Sequence, residues 1–123
     1  MEPVKTPRAQ PSPDPAAVLG KATLRAAARM GLSRDELSAV IGRDRSSISR
    51  SGIAPDSKAG ELALLLLRCY RSLAVLVDDD AAQIREWLGT RNTHTGGVPR
   101  EQLRDVAGLV TVTGYLDAIR GKL

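Results

Sequence analysis

A short run of cationic and hydroxyl side chains between positions 43 and 50 is the segment best suited to chemistry. An arginine can donate hydrogen bonds to a guanine edge or to a phosphate, and a serine hydroxyl can contact either. Asp44 can cap a helix that begins here, and Ile48 can hold that helix against a core. The remaining side chains would then face outward towards a DNA major groove. These candidate DNA-binding residues are Arg43, Arg45, Ser46, Ser47, Ser49 and Arg50.

The charge distribution also favours a nucleic-acid surface. The chain has 123 residues and a formal net charge of +4. Between Lys21 and Arg50 there are seven basic and three acidic residues, so this window carries the whole excess. Concentrated positive charge is the electrostatic footprint of nucleic-acid binding. A solvated helical face produces the same excess, and the coincidence with the 43–50 segment is what favours DNA.

No constellation typical of an enzyme or a metal site is present in the sequence. The only histidine, His94, lies far along the chain from the only cysteine, Cys69. These two residues supply neither a metal-ligand set nor a Cys–His nucleophile, and no glycine-rich phosphate-binding motif occurs. We therefore predict a protein that is not an enzyme and needs no cofactor and no metal.

The composition points to helices and to the cytoplasm. Hydrophobic residues make up 42% of the chain and aromatic residues only 2%, so that Leu, Val, Ile and Ala must build the core. A β-sandwich normally uses more aromatic and β-branched residues. The N-terminus lacks the apolar run of a signal peptide, and the apolar run at 62–67 is too short to cross a bilayer. We expect a cytoplasmic protein that makes no membrane contact.

Hydrophobic periodicity and turn residues predict an all-α fold. In this fold an N-terminal helix-turn-helix lobe is joined by a long central helix to a small C-terminal helical lobe. The central helix is apolar around more than a narrow stripe, which is typical of a helix central to its domain or buried in an oligomer. We predict a homodimer formed through this helix and the N-terminal lobe. The expected divisions are a disordered Pro-rich arm at 1–15, the helix-turn-helix at 16–56, the central helix at 57–80 and the C-terminal lobe at 81–123.

Local capping signals predict where individual helices begin and end. Asp14 suits the N-cap of the first helix, and Gly31 suits its C-cap. Ser33 and Glu36 form a capping-box sequence for the second helix, which Gly42 ends.

In the C-terminal lobe, Gly108 is expected to separate two short helices, at about 100–107 and 110–120. Apolar residues recur along this part of the chain. The positions assigned to the core are Val106, Leu109, Val112, Leu116 and Ile119.

The segment 37–50 resembles the helix-turn-helix of Xre-type regulators. Leu37 and Ile41 would pack its first helix, Ser38 is small where the helices approach, and Gly42 permits the tight turn. The resemblance implies that the second helix of the motif enters the major groove of operator DNA.

Residues 78–123 resemble the toxin-binding end of the Xre/MbcA/ParS antitoxins. That family has a Trp-Leu pair, a loop with Asn, Gly-Gly and Pro, and two helices, the last with a Tyr-Leu-Asp-like run and a Gly. The matching positions here are Trp87-Leu88, Asn92, Gly96-Gly97, Pro99, Gly108, Tyr115-Leu116-Asp117 and Gly121.

The resemblance implies a partner, which is a toxin encoded nearby and most often of the NAD-degrading RES type. The antitoxin would cover the toxin's active-site cleft and, as a DNA-binding complex, repress its own operon. Tyr115 has the profile of an interface anchor, and Arg120, Lys122 and the carboxylate of Leu123 add charge at the tip. With the motif residues Trp87 and Asp117, the candidate toxin-binding residues are Trp87, Tyr115, Asp117, Arg120, Lys122 and Leu123.

Two alternatives remain open from the sequence. One is a stand-alone transcriptional regulator whose C-terminal lobe dimerises or senses a ligand. The other is an interaction protein whose helix-turn-helix serves only folding or dimerisation.

Overall fold

The computed structural model describes residues 13–123, and within that range the chain forms seven α-helices and no β-strand. The all-α prediction is therefore confirmed. Residues 1–12, which hold most of the expected Pro-rich arm, lie outside the described range. The helices are α1 (Pro15–Met30), α2 (Arg34–Ile41), α3 (Arg45–Ser51), α4 (Lys58–Leu76), α5 (Ala81–Gly89), α6 (Pro99–Gln102) and α7 (Val106–Arg120).

The predicted capping signals occupy the ends of the first two helices. The Asp14 carboxylate accepts a hydrogen bond from a backbone N–H of the first turn of α1. At the start of α2, Ser33 and Glu36 exchange side-chain-to-backbone hydrogen bonds of 2.8 and 3.1 Å, which completes the capping box. Gly31 and Gly42 follow the two helices with φ of +68° and +79°, a conformation that glycine adopts without steric cost. Each helix is thus terminated by contacts within a few residues.

α4 is the central element of the fold, because it packs against α1, α2 and α7. As a result the two lobes share one continuous apolar core, to which every helix except the short α6 contributes. The largest fully buried side chains are Met30, Ile41, Ile48, Ile53, Leu66, Leu73, Ile84, Leu88, Leu103, Leu109, Val112 and Leu116.

The last two helices divide at a different place from the predicted one. Gly108 does not separate them but lies in the first turn of α7, where its N–H donates to the Asp105 carboxylate at 2.7 Å. A Cβ atom added at Gly108 would lie 1.9 Å from the carbonyl oxygen of Gln102. The glycine is therefore explained by the close approach of α7 to the end of α6, and the prediction of a helix break at this position is wrong.

The core assigned to α7 needs one correction. Leu109, Val112 and Leu116 are buried and Ile119 is half-buried, whereas Val106 is 48% exposed. Val106 is the first residue of α7, and the helix turns this position towards solvent beside α4. Its place in the predicted core is wrong, and it instead contributes to an apolar surface.

Two further properties concern residues 13–123 as a whole. None of their helices combines the length and apolarity needed to cross a bilayer. They also bring together no group of three or more His, Cys, Asp or Glu side chains that could hold a metal ion.

Candidate DNA-binding and toxin-binding surfaces

α3 carries an exposed polar face whose orientation is set by one cap and one core contact. The Asp44 carboxylate accepts a hydrogen bond from the Ser47 N–H at 2.7 Å, and the Ile48 side chain is only 1% exposed. These two contacts determine which face of α3 points towards the core and which faces solvent. The exposed candidate residues on α3 are Arg45, Ser46, Ser49 and Arg50.

Arg43 and Ser47 lie in an intramolecular network instead of projecting freely. The Arg43 guanidinium donates to the Ser47 hydroxyl at 2.6 Å and to the Gly52 carbonyl at 2.6 Å, and both side chains are half-buried. Arg43, in the turn before α3, is therefore bonded both to the middle of α3 and to Gly52, the residue that follows it. In the described structure four of the six candidate DNA-binding side chains are exposed, and the other two are half-buried.

The contact between α1 and the end of α3 is made through glycines. Gly52 has a φ of +68°, and a Cβ atom there would lie 2.2 Å from the Ala16 carbonyl oxygen. The Ile53 N–H donates to the same oxygen at 2.9 Å. At Gly20, a Cβ atom would lie 2.8 Å from the Gly52 Cα atom. Because no side chain separates the two backbones at these glycines, α1 and the end of α3 pack in direct contact, and this contact sets the position of α3 on α1.

Three aromatic rings stack on the surface of the C-terminal lobe. The Tyr115 ring of α7 lies 6.3 Å from Trp87 of α5, centroid to centroid, with 8° between their planes. On the same ring, His94 stacks at 5.4 Å with 13° between the planes. Near-parallel rings at these distances attract each other beyond the area that they bury. The stack therefore restricts the orientation of Tyr115 before any partner binds.

The loop between α5 and α6 is folded so that His94 reaches this stack. The Asn92 side-chain oxygen accepts from the backbone N–H groups of His94 and Thr95, at 2.8 and 3.1 Å. Thr95 is buried, and its carbonyl accepts from the Gln102 amide at 2.6 Å. Gly96 has a φ of +83°, which allows the tight return of the chain. Sequence reasoning had no role for His94, although an Asn two residues earlier is a recognisable turn signal.

Asp117 binds to α4 within the chain. Its carboxylate pairs with the Arg68 guanidinium at 2.6 Å and accepts from the Ser72 hydroxyl at 2.7 Å. Arg120 donates to the same hydroxyl at 3.5 Å. This network attaches the second half of α7 to α4. The final residues Lys122 and Leu123 are exposed.

Comparison with known protein families accounts for almost the whole chain. Residues 9–68 match the antitoxin Xre-like helix-turn-helix domain, and residues 72–122 match the antitoxin Xre/MbcA/ParS C-terminal toxin-binding domain. The chain belongs to the Xre/MbcA/ParS-type antitoxin family. A comparison with curated proteins finds no significant match. The family assigns an antitoxin role, a cognate toxin as partner and a DNA-binding type of N-terminal domain.

The two matched domains of this antitoxin meet inside α4, and Arg100 links them again through side-chain contacts. Its guanidinium donates to the carbonyls of Gly31 and Met30 at 2.7 and 3.3 Å and pairs with Glu36 at 3.1 Å. Burial of the Glu36 carboxyl opposes its ionisation, but the hydrogen bonds at Ser33 and the charge of Arg100 outweigh that effect and lower the pKa of Glu36. Arg100 of the toxin-binding domain therefore bonds directly to the start of the helix-turn-helix.

A second set of contacts joins α1 to α5 and to the segment just before it. Arg85 donates to the Ala28 carbonyl at 2.9 Å, which places a cation at the C-terminal end of α1, where the helix dipole favours it. Arg29 pairs with Asp79 at 3.1 Å, and the Tyr70 hydroxyl donates to the same carboxylate at 2.8 Å. The hydrogen bond from Tyr70 and the contact with Arg29 lower the pKa of Asp79. These interdomain contacts could not be read from the sequence.

Proposed function

We propose that this antitoxin neutralises a RES-type, NAD-degrading toxin by covering its active site with the C-terminal domain, and that it represses its own operon through α3. It would act by binding alone, without catalysis. The features that best support toxin binding are the Trp87–Tyr115–His94 stack and the exposed end of α7. The residues proposed for the toxin-binding surface remain Trp87, Tyr115, Asp117, Arg120, Lys122 and Leu123, with Asp117 acting through the position of α7.

The physical support for this surface is its rigidity. A large ring that is already held by its neighbours loses little conformational entropy on binding, which is the usual property of an interface anchor. At the tip, Arg120 and Lys122 are exposed cations close to the C-terminus. They suit a cleft that accommodates an anionic dinucleotide.

Co-expression with the adjacent reading frame tests this proposal. The partner alone should stop growth and lower cellular NAD, and the antitoxin should restore both and co-purify with it. A toxic partner that leaves NAD unchanged would refute the RES assignment while leaving the antitoxin role intact.

A truncation tests the covering of the active site. Deleting residues 120–123 removes exposed residues, one 3.5 Å side-chain hydrogen bond and the backbone hydrogen bonds of the last turn, but no residue of the apolar core, so that the fold should persist. Neutralisation should be lost, whereas Tyr115→Phe, which keeps the ring stack, should retain most of it. Full neutralisation by the truncated chain would contradict the covering mechanism.

DNA binding by α3 is supported by its exposed Arg and Ser face and by the net positive charge of the surrounding segment. The residues proposed for this surface are Arg43, Arg45, Ser46, Ser47, Ser49 and Arg50, with Arg43 and Ser47 acting through the position of α3. Arg45→Ala should weaken binding to a duplex from its own promoter region and relieve repression of a reporter. Unchanged repression by this variant would argue against α3 as the DNA-binding element.

A homodimer is supported by an apolar strip that runs across three helices. Leu64 of α4 is 51% exposed and lies between Val18 of α1 on one side and Val106 and Val110 of α7 on the other. Burying such side chains against a second copy would remove apolar surface from water. A symmetric dimer would place two copies of α3 on a palindromic operator.

Oligomeric state tests this interface directly. Leu64→Glu should convert a dimer to a monomer in light scattering coupled to gel filtration. Ala82→Glu adds the same charge at an exposed position of α5 and should leave the mass unchanged. A Leu64→Glu variant of unaltered mass would refute the strip as the interface.

A further inference from the structure

A groove between α1 and the last turn of α3 is lined by two cations from different helices. Lys21 of α1 and Arg50 of α3 both line it, together with the hydroxyl-bearing Ser49 and Ser51. All four side chains are exposed. The groove borders the outer face of α3, so that a duplex bound to α3 would pass over it.

The electrostatics of this groove favour an anion. Asp14 is the acidic residue in its lining, and its carboxylate already accepts the capping hydrogen bond from the first turn of α1. Lys21 supplies a compact ammonium charge and Arg50 a planar guanidinium, while serine hydroxyls can donate to the same oxygen atoms. The close backbone contacts at Gly20 and Gly52 fix the positions of α1 and α3, and therefore of the backbone that carries these two cations, relative to each other.

We infer that Lys21 and Arg50 together bind one phosphate of the DNA backbone, next to the part of the DNA major groove that α3 would contact. This inference rests on the DNA binding proposed above and deepens it. Arg50 then positions the duplex, and the base edges are left to Arg45, Ser46 and Ser49. Arg25 lies one turn further along the same side of α1 and extends the positive track away from α3.

Phosphate contacts and base contacts have different signatures in binding experiments. A phosphate contact contributes equally to every sequence and releases counterions, so that its loss lowers the salt dependence of binding by about 0.9 per phosphate. A base contact instead changes the preference for one sequence over another. The two roles of Arg50 can therefore be separated.

The experiment measures binding of the full chain to a duplex from its own promoter region and to a scrambled duplex, over a series of salt concentrations. Lys21→Ala should weaken binding to the promoter duplex and to the scrambled duplex by equal factors, and the same should hold for Arg50→Ala. The double variant should lower the salt slope by about 0.9 for each protomer bound to the duplex, and not by twice that amount per protomer, because the two cations of one protomer share one phosphate. Arg91→Ala, an equal charge change at an exposed loop position of the C-terminal domain, is the control and should change neither quantity.

Three results would overturn the inference. Lys21→Ala behaving like Arg91→Ala would exclude a phosphate at this groove. A loss confined to the promoter duplex in Arg50→Ala would make Arg50 a base-reading residue. If the unmodified chain binds neither duplex, the DNA-binding part of the proposed function fails, and the phosphate site fails with it. Thermal unfolding of each variant checks that the fold is retained.

Discussion

Replacing Gly108 with alanine should destabilise the protein, although alanine is the better helix former. In an open helical position the exchange stabilises by about 0.5–1 kcal/mol. At Gly108, however, the new Cβ atom would lie 1.9 Å from the oxygen and 2.7 Å from the carbonyl carbon of Gln102. Both are backbone atoms and cannot rotate away as a side chain would. Because ordinary contact begins near 3.4 Å, α7 and the end of α6 must move apart by more than an ångström.

Forced separation of packed segments typically costs about 1–3 kcal/mol, which exceeds the gain in helix propensity. Gly114 provides the matched control, because it lies in the same helix and a Cβ atom there meets nothing within 4 Å. Gly114→Ala should stabilise by about 0.5–1 kcal/mol. In urea unfolding followed by circular dichroism, the free energy of unfolding should thus be lower for Gly108→Ala and higher for Gly114→Ala than for the unmodified protein. A Gly108→Ala protein as stable as Gly114→Ala would refute the reasoning.

Three further outcomes are expected. Arg100→Ala should lower the free energy of unfolding by about 1–3 kcal/mol, because it removes the donor to two carbonyls and the partner of a carboxylate. Arg104→Ala, at an exposed position, is the control and should change the free energy of unfolding by less than about 0.5 kcal/mol. The pKa of Glu36 is lowered in the folded protein, so the ionised carboxylate stabilises the fold above the unfolded pKa of about 4.3, and this stabilisation is lost as pH falls through the folded pKa. When unfolding is measured as a function of pH, the free energy of unfolding of Arg100→Ala should therefore fall less steeply with acidification than that of the unmodified protein. Burial raises the pKa of Cys69 to about 12, so iodoacetamide at pH 8 should label this thiol only after denaturation, and rapid labelling of the native protein would contradict its burial.

The sequence by itself determined the features that depend on neighbours along the chain. The helix starts at Asp14 and Ser33, and the stops at Gly31 and Gly42, were predicted at the positions where they occur. A cap joins residues two or three positions apart, and its energy does not depend on the rest of the fold. The family was also predicted correctly, because the motifs of both domains lie in order along one chain.

The tertiary structure alone decided the features that join distant residues. Arg100 reaches α1 across about seventy positions of chain, and His94 meets Tyr115 only because the loop folds back onto α7. Gly108 illustrates the difference most clearly. As a glycine between apolar segments it predicts a break, but in the fold it permits a helix to pass close to a backbone carbonyl. Local sequence encodes conformational preference, whereas the space available to a side chain is set by whichever segments the core brings together.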